Sequence, residues 1–289
     1  MKRPSNLYKY CTAKVAKIVL QTGRLRASSP VLFNDPFDSY FAPRFSNLPS
    51  SLGQLRKRSG EILSGTEVLP PGSAAAFNYA PLVSLSTSVP KEVAARTLAS
   101  TTAWYRSVAE QFGRDSRDEW DKILVRFRVL CLCESGNNPL LWSHYAQGHQ
   151  GAALEFRASD YRPFNEARAV TYRRTPPKTF SAKDFVESAL GLRDLPEPRF
   201  IPLVMTKASE WSYEKEWRWL GSVKNAETRR YEDCKFPPAS LSKILLGCHI
   251  SIRDRKAIEH LTKGDFGHVE IHQAHQSETR YGLEFERIK

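Results

Sequence analysis

The run from Ile123 to Cys133 constrains the fold of this chain more than any other segment. Ile123, Val125, Phe127, Val129 and Cys131 alternate with a second set containing Arg126 and Arg128, the period-two signature of a strand. Cys131 and Cys133, two apart, are expected to point to one buried face. Such a strand needs sheet neighbours, and short strand-like segments supply them: Leu7 to Tyr10, Leu25 to Ser28, Gly151 to Arg157, Ala169 to Arg173, Phe200 to Met205, Glu214 to Leu220, Lys243 to Cys248, His268 to His272 and Tyr281 to Ile288. Helices are expected between Thr12 and Gly23, with Val15, Ile18, Val19 and Leu20 on the apolar side, and over Leu52 to Leu63 and Lys91 to Phe112. Three more are expected between Asn138 and Gly148, over Ala182 to Leu190 and between Ser251 and Gly264. Thr12, Asn138 before Pro139, and Ser251 three residues before Asp254 have the form of N-caps, and the glycines have the form of stops.

Strands and helices do not alternate regularly. An α+β fold, a single domain over 1–289 with a mostly antiparallel or mixed sheet flanked by helices, therefore fits better than a doubly wound one. Residues 41–80, punctuated by Pro43, Pro49 and Pro70-Pro71-Gly72, read as a loop-rich insertion or flap. The composition, 41% hydrophobic and 26% charged, is that of a globular chain. No apolar run reaches the roughly 18 residues of a membrane span. No apolar segment follows the basic start, so a cytoplasmic protein without membrane contact is expected. The five cysteines are scattered and are expected to be reduced thiols. A formal net charge of +12 favours polyanionic partners, nucleic acid or nucleotides.

Three motifs can carry chemistry. In Trp142-Ser143-His144-Tyr145, followed by His149, a helix would place Trp142, Tyr145, Ala146 and His149 on one face with His144 beside it. That arrangement suits a core stripe, or stacking against a base or nicotinamide. In Trp211 to Trp219, a strand would set Glu214, Glu216 and Arg218 on one face and Tyr213, Trp217 and Trp219 on the other. The charged face is either a solvated salt-bridged row or an active carboxylate held by Arg218, with Lys207 adding a cation. Asn34-Asp35-Pro36-Phe37-Asp38 has the composition of a turn, and alternatively shapes a pocket wall. His268, Glu270 and His272 would share a strand face, but no further ligand is evident and no metal is expected.

Taken in order, Leu7-Tyr8-Lys9-Tyr10, Phe33 to Asp38, Trp142 to Tyr145, Lys207, Trp211 to Arg218 and Ile244 to Gly247 resemble a widespread bacterial family catalogued as a domain of unknown function. The strand-helix rhythm of Leu7 to Leu25 and the late glutamate strand also resemble ADP-ribosyltransferases that modify nucleic acids, although Lys9 stands where those carry histidine. That resemblance implies NAD as co-substrate, an aromatic pocket from Tyr8, Tyr10 and Tyr145, and Glu216 or Glu214 as the active carboxylate. It further implies that Arg218 holds the carboxylate, that Lys9 or Lys207 meets the diphosphate, and that the basic surface draws in DNA or RNA as acceptor.

The resulting catalytic set is Glu216, Glu214, His144 and Tyr145. The nucleotide-binding set is Tyr8, Lys9, Tyr10, Asn34, Asp35, Asp38, Trp142, Lys207, Trp211 and Arg218. A toxin or phage-defence transferase is the leading expectation. The alternatives are a nuclease pairing His144 with Glu214 or Glu216, and a non-catalytic nucleotide- or nucleic-acid-binding module.

Overall fold

The structure is a computed structural model that describes residues 3–39, 120–158, 161–177, 181–189, 200–223 and 229–289, with scattered positions between 53 and 118. The expected helices over Leu52 to Leu63 and Lys91 to Phe112, and the 41–80 insertion, lie largely or wholly outside those residues. By compactness the chain divides into two units. One comprises Met1–Ser39, Ile123–Thr175 and Val204–Lys289 and carries the sheet and both clefts. The other comprises Tyr40–Lys122 and Pro176–Leu203, within which α3 (Ala182–Ala189) and most of α4 (Phe200–Val204) fall.

The fold is α+β, built on a large, mostly antiparallel sheet. The chain opens with β1 (Asn6–Cys11), α1 (Ala13–Thr22) and β2 (Arg24–Ser28). Then come β3 (Phe127–Cys133), α2 (Pro139–Tyr145), β4 (Ala152–Arg157) and the short β5 (Arg168–Ala169). After β6 (Thr171–Arg173) and β7 (Thr206–Ala208), which form a separate parallel pair, follow β8 (Glu216–Ser222), β9 (Tyr231–Lys235) and β10 (Leu241–Leu246). The unit closes with α5 (Ile252–Leu261), β11 (Glu270–Gln276) and β12 (Leu283–Arg287). The strand order in the large sheet is β12-β11-β10-β4-β1-β3-β2-β9, with β8 also along β3 and β5 along β8; among the described strands of that sheet only β10 and β11 run parallel.

Local chemistry fixes several elements. Thr12 caps α1 by accepting from the Val15 amide, and Gly23, left-handed at φ 61°, ends it. The Ser251 hydroxyl accepts from the Asp254 amide and donates to its carboxylate, opening α5. α1 and α5 lie side by side, with Lys17 Nζ 2.7 Å from Asp254 Oδ1. One sheet face buries Leu7, Leu130, Leu132, Phe156, Trp217 and Ile244 together with Val19, Leu20 and Ile258 of those helices. The other face packs Tyr10, Cys133, Ala153 and Leu245 against Leu141 and Trp142 of α2.

The structure corrects several expected elements. Phe200 to Met205 is largely helix, not strand: Pro202 in its first turn forfeits no helical hydrogen bond, whereas inside a strand it would break the ladder. β3 begins only at Phe127, because residues 120–124 are helical. Arg128 is buried and donates to the Val125 and Phe127 carbonyls, so its face of β3 is not solvated. Ala169 to Arg173 is interrupted between β5 and β6. On α1 the buried residues are Ala13, Ala16, Val19 and Leu20, while Val15 and Ile18 are exposed. α2 stops at Tyr145, and His149 sits beyond it in a left-handed turn rather than on the helix. His268 precedes its strand and binds the Leu241 carbonyl.

Candidate functional site

One edge of β3 is paired along its whole length with β8, from Phe127 opposite Ser222 to Cys133 opposite Glu216. The other edge is shared: β1 meets it at Cys133, through Tyr8, and β2 meets it at Val129, through Ser28. At Cys131, between these two contacts, the sheet opens, and the carbonyl that would have joined a ladder accepts from Lys9 Nζ at 3.0 Å. A cleft of about 400 Å³ occupies the split. Its walls come from Tyr8, Lys9 and Tyr10 of β1, Arg26 and Ser28 of β2, the Leu32-Phe33-Asn34 segment, and His144 and Tyr145 of α2. Val129, Cys131 and Cys133 form its floor, together with Asp38, Lys207, Glu214, Glu216 and Arg218.

Strand alternation explains why β8 delivers charge to this floor. Trp217 goes into the core, so Glu216 and Arg218 emerge on the cleft face, opposite Cys133 and Cys131 of β3. Glu214 is not on that strand. It ends a 3-10 helix, Ser209–Glu214, and Lys215, at φ 44°, turns the chain from that helix into β8. Such a left-handed residue bearing a side chain costs about 1 kcal/mol. The Glu216 amide then donates to the Tyr172 hydroxyl at 2.7 Å.

Arg218 is the organiser. Its Nε donates to Glu216 Oε1 at 2.8 Å and Nη2 to Glu216 Oε2 at 3.1 Å. Asp38 takes Nη1 and Nη2 at 2.9 and 2.5 Å, and the Val204 carbonyl takes Nη1 at 2.6 Å. Five contacts engage all the donors a guanidinium has, and the side chain is fully buried. Lys207 bridges the carboxylates, with Nζ 2.6 Å from Glu214, 3.3 Å from Glu216 and 3.8 Å from Asp38. Asp38 is delivered by the turn before it, where Asp35 Oδ1 accepts from the Phe37 amide and the Asp35 carbonyl from the Asp38 amide. Tyr145 donates to Glu214 Oε1 at 2.8 Å.

The two glutamates are driven apart in acidity. Burial alone pushes Glu216 up, but Arg218 and then Lys207 overcome it and hold its carboxyl at about 2. Glu214 is raised above the usual carboxylate value, first by burial and then by the charge of Glu216, against the pull of Lys207. The result is a fixed anion beside a carboxyl that keeps its proton longer, the usual division of labour in a carboxylate pair. Burial raises the Cys131 and Cys133 thiols as well, so neither is an activated nucleophile.

The cleft thus gathers Tyr8, Lys9, Tyr10, Asn34, Asp38, His144, Tyr145, Lys207, Glu214, Glu216 and Arg218 from segments far apart in sequence. Three residues of the expected nucleotide-binding set stand elsewhere. Trp142 is completely buried, its indole donates to the Gly136 carbonyl, and no ring face is left for a base. Asp35 spends its side chain on the turn. Trp211 lies beside Lys207 and His144 without lining the cleft. Lys207 and Arg218 are on the floor but are committed to carboxylates, and Arg26 at the rim is paired with Asp233 and lies over Tyr231, leaving Lys9 as the cation facing a ligand without a carboxylate of its own. Tyr213 packs with α2 rather than with Trp217. His144 is exposed at the mouth and touches only the rings of Tyr145, Trp211 and Tyr213, so it makes no acid-base pair with either glutamate.

Tyr172 and Arg26 were not readable as site residues. They reach the site through strand pairing between distant segments, and their local sequence carries no mark of it. Among the described residues all five cysteines are free and no group of three His, Cys, Asp or Glu side chains could hold a metal ion. No described helix is long and apolar enough to cross a membrane.

Fold and site together define an α+β protein with a buried, ion-paired carboxylate cleft. Residues 141–219 match the sequence model of a family described as "Protein of unknown function (DUF2971)". That stretch holds most of α2, Tyr172, Lys207, both glutamates and Arg218, and so most of the charged floor. No curated protein and no solved structure matches the chain.

Proposed function

We propose that this cleft binds NAD and breaks its nicotinamide–ribose bond, transferring ADP-ribose to an acceptor that the basic surface attracts, nucleic acid above all. The observation that carries this reading is the split carboxylate pair: Glu216 held ionised down to about pH 2 in an Arg218 and Lys207 clamp, next to Glu214 with a raised pKa. The bond to be broken joins ribose C1′ to a positively charged ring nitrogen. As it breaks, the electron pair goes to that nitrogen and positive charge builds on the sugar. A preorganised anion at that point stabilises the charge without reorganising. Glu216 fits that role, and its low pKa makes it a poor base. Glu214, nearer to operating pH, is the better acceptor for the proton that the incoming nucleophile loses.

The surroundings support the same reading. Asp38, Glu214 and Glu216 outnumber Lys207 and Arg218 on the floor, and Tyr8, Tyr10, Phe33 and Tyr145 supply ring faces and edges. A flat cation is at home there. Lys9, bonded only to a carbonyl, stands where the diphosphate would lie, with Arg26, paired to Asp233, at the rim. The cleft volume is in the range of small-molecule sites.

Incubating the protein with NAD labelled in the nicotinamide ring, and separately with NAD labelled in the adenosine half, with and without DNA or RNA, tests the proposal. Released nicotinamide and labelled acceptor are expected for the native chain, and a loss of about a hundredfold or more for folded Glu216→Gln. A folded protein that neither binds nor turns over NAD, or that degrades polynucleotide without it, would refute it.

A further inference from the structure

A second cleft of about 400 Å³ backs onto the first. Trp142 stands between them: its ring meets Tyr10 of the first cleft edge-on at 5.3 Å and lies nearly parallel to His149 of the second at 6.1 Å. The two clefts differ in chemistry. The first pairs its three carboxylates with cations, whereas the second is lined by Arg280, His149 and His249 and by no carboxylate. Arg280 has no ion pair or hydrogen-bond partner for its side chain, and neighbouring Tyr281 is fully exposed. The two imidazoles lie 6.1 Å apart by ring centroid.

His149 is held in place at a conformational cost. Gln147, Gly148 and His149 follow one another with φ of 53, 62 and 66°, a left-handed run that residues with side chains rarely adopt. Its Nε2 lies 3.3 Å from the Ser143 hydroxyl, which fixes the ring beside the cleft. The cleft thus offers an uncommitted guanidinium and an uncovered tyrosine ring next to two imidazoles.

We propose that this second cleft binds a nucleoside phosphate. The phosphate lies on Arg280, with the His149 and His249 rings behind it, and the base stacks on Tyr281. A guanidinium matches the planar, multi-oxygen phosphate, and a free tyrosine ring accepts any base face. A free nucleotide and the terminal nucleotide of a nucleic acid share this chemistry. The site stands whether or not the first cleft cleaves NAD.

Calorimetric titration of the full chain with adenosine monophosphate, adenosine, inorganic phosphate and a 5′-phosphorylated oligonucleotide tests it. Adenosine monophosphate is expected to saturate, and adenosine to bind about tenfold or more weakly, for want of a charge-assisted partner to Arg280. Arg280→Gln is expected to weaken the nucleotide by a similar factor, and Tyr281→Ala to weaken it while sparing inorganic phosphate. Both residues are exposed, so both variants should fold. Glu216→Gln, in the first cleft, should leave this binding unchanged. An oligonucleotide that binds more tightly than the mononucleotide identifies a nucleic-acid end; the reverse order identifies a free nucleotide. No saturable binding of any phosphate ligand, or binding that survives Arg280→Gln but falls in Glu216→Gln, overturns the proposal.

Discussion

At the scale of single residues, Arg218 decides what the cleft is. Its planar fork holds Asp38 and Glu216 at once and is fully buried. Lysine carries the same charge but cannot grip two carboxylates side by side. Arg218→Lys is therefore expected to lower stability by about 3 to 5 kcal/mol, the usual consequence of breaking a buried ion pair, measured by urea unfolding. The two glutamates should show themselves in how stability varies with pH. Glu216 is depressed from 4.5 to about 2 in the folded chain, so its stabilisation is present above pH 4.5 and lost as the pH falls towards 2. The difference is on the order of 3 kcal/mol. The deficit of Glu216→Gln relative to the native chain should be full above pH 4.5 and shrink in more acidic solution. Glu214 is raised, so its sign is opposite: its contribution is present below 4.5 and is lost as pH rises through its folded value. Glu214→Gln should gain on the native chain as pH climbs above 4.5. Unfolding curves at a series of pH values check both, and parallel profiles for the two variants would contradict the assignment.

At the scale of elements, much was legible where the signal is local. Thr12 and Gly23 bracket α1, Asn138 and Pro139 open α2, and Ser251 with Asp254 opens α5, because each cap is a hydrogen bond between near neighbours in the chain. The misread elements are those where one short pattern has two solutions. Phe200 to Met205 is an apolar run that periodicity cannot assign. Glu214 kept its expected neighbourhood with Glu216 but by another route, through Lys215 in a left-handed turn. Gly247 is required by close approach. A Cβ on Gly247 would lie 2.0 Å from the His149 carbonyl oxygen, where β10 meets the turn after α2. Gly247→Ala must push backbone apart there. It is expected to cost about 3 kcal/mol or more and to lower the thermal midpoint by at least several degrees. An unchanged midpoint would show that the contact yields freely.

At the scale of the whole molecule, the site exists because the sheet splits. β1 and β2 both reach β3 on one edge but at different residues, and the gap at Cys131 becomes a pocket. Nothing in the run Ile123 to Cys133 announces this, because the split depends on which distant strands arrive and in what register. The charged residues were legible as candidates, but their division of labour was not. Arg218 and Lys207, expected partly as ligand contacts, are spent on the protein's own carboxylates, while Lys9 faces the opening. The formal charge of +12 belongs to this scale too. If nucleic acid is the acceptor, its affinity should fall linearly on logarithmic axes as salt rises, with a slope of about −0.9 per phosphate contacted on duplex DNA. A salt-independent affinity would argue for a different acceptor.

The account turns on two neighbouring carboxyls that differ in whether they hold a proton. Carbon-13 labelling of the glutamate side chains, with the Glu214 and Glu216 carboxyl resonances followed through an acid titration, measures this directly. Glu216 should stay ionised down to about pH 2, while Glu214 takes up its proton above 4.5. Both signals titrating together near 4.5 would mean that Arg218 and Lys207 do not set the pair apart, and the catalytic assignment would fall with them.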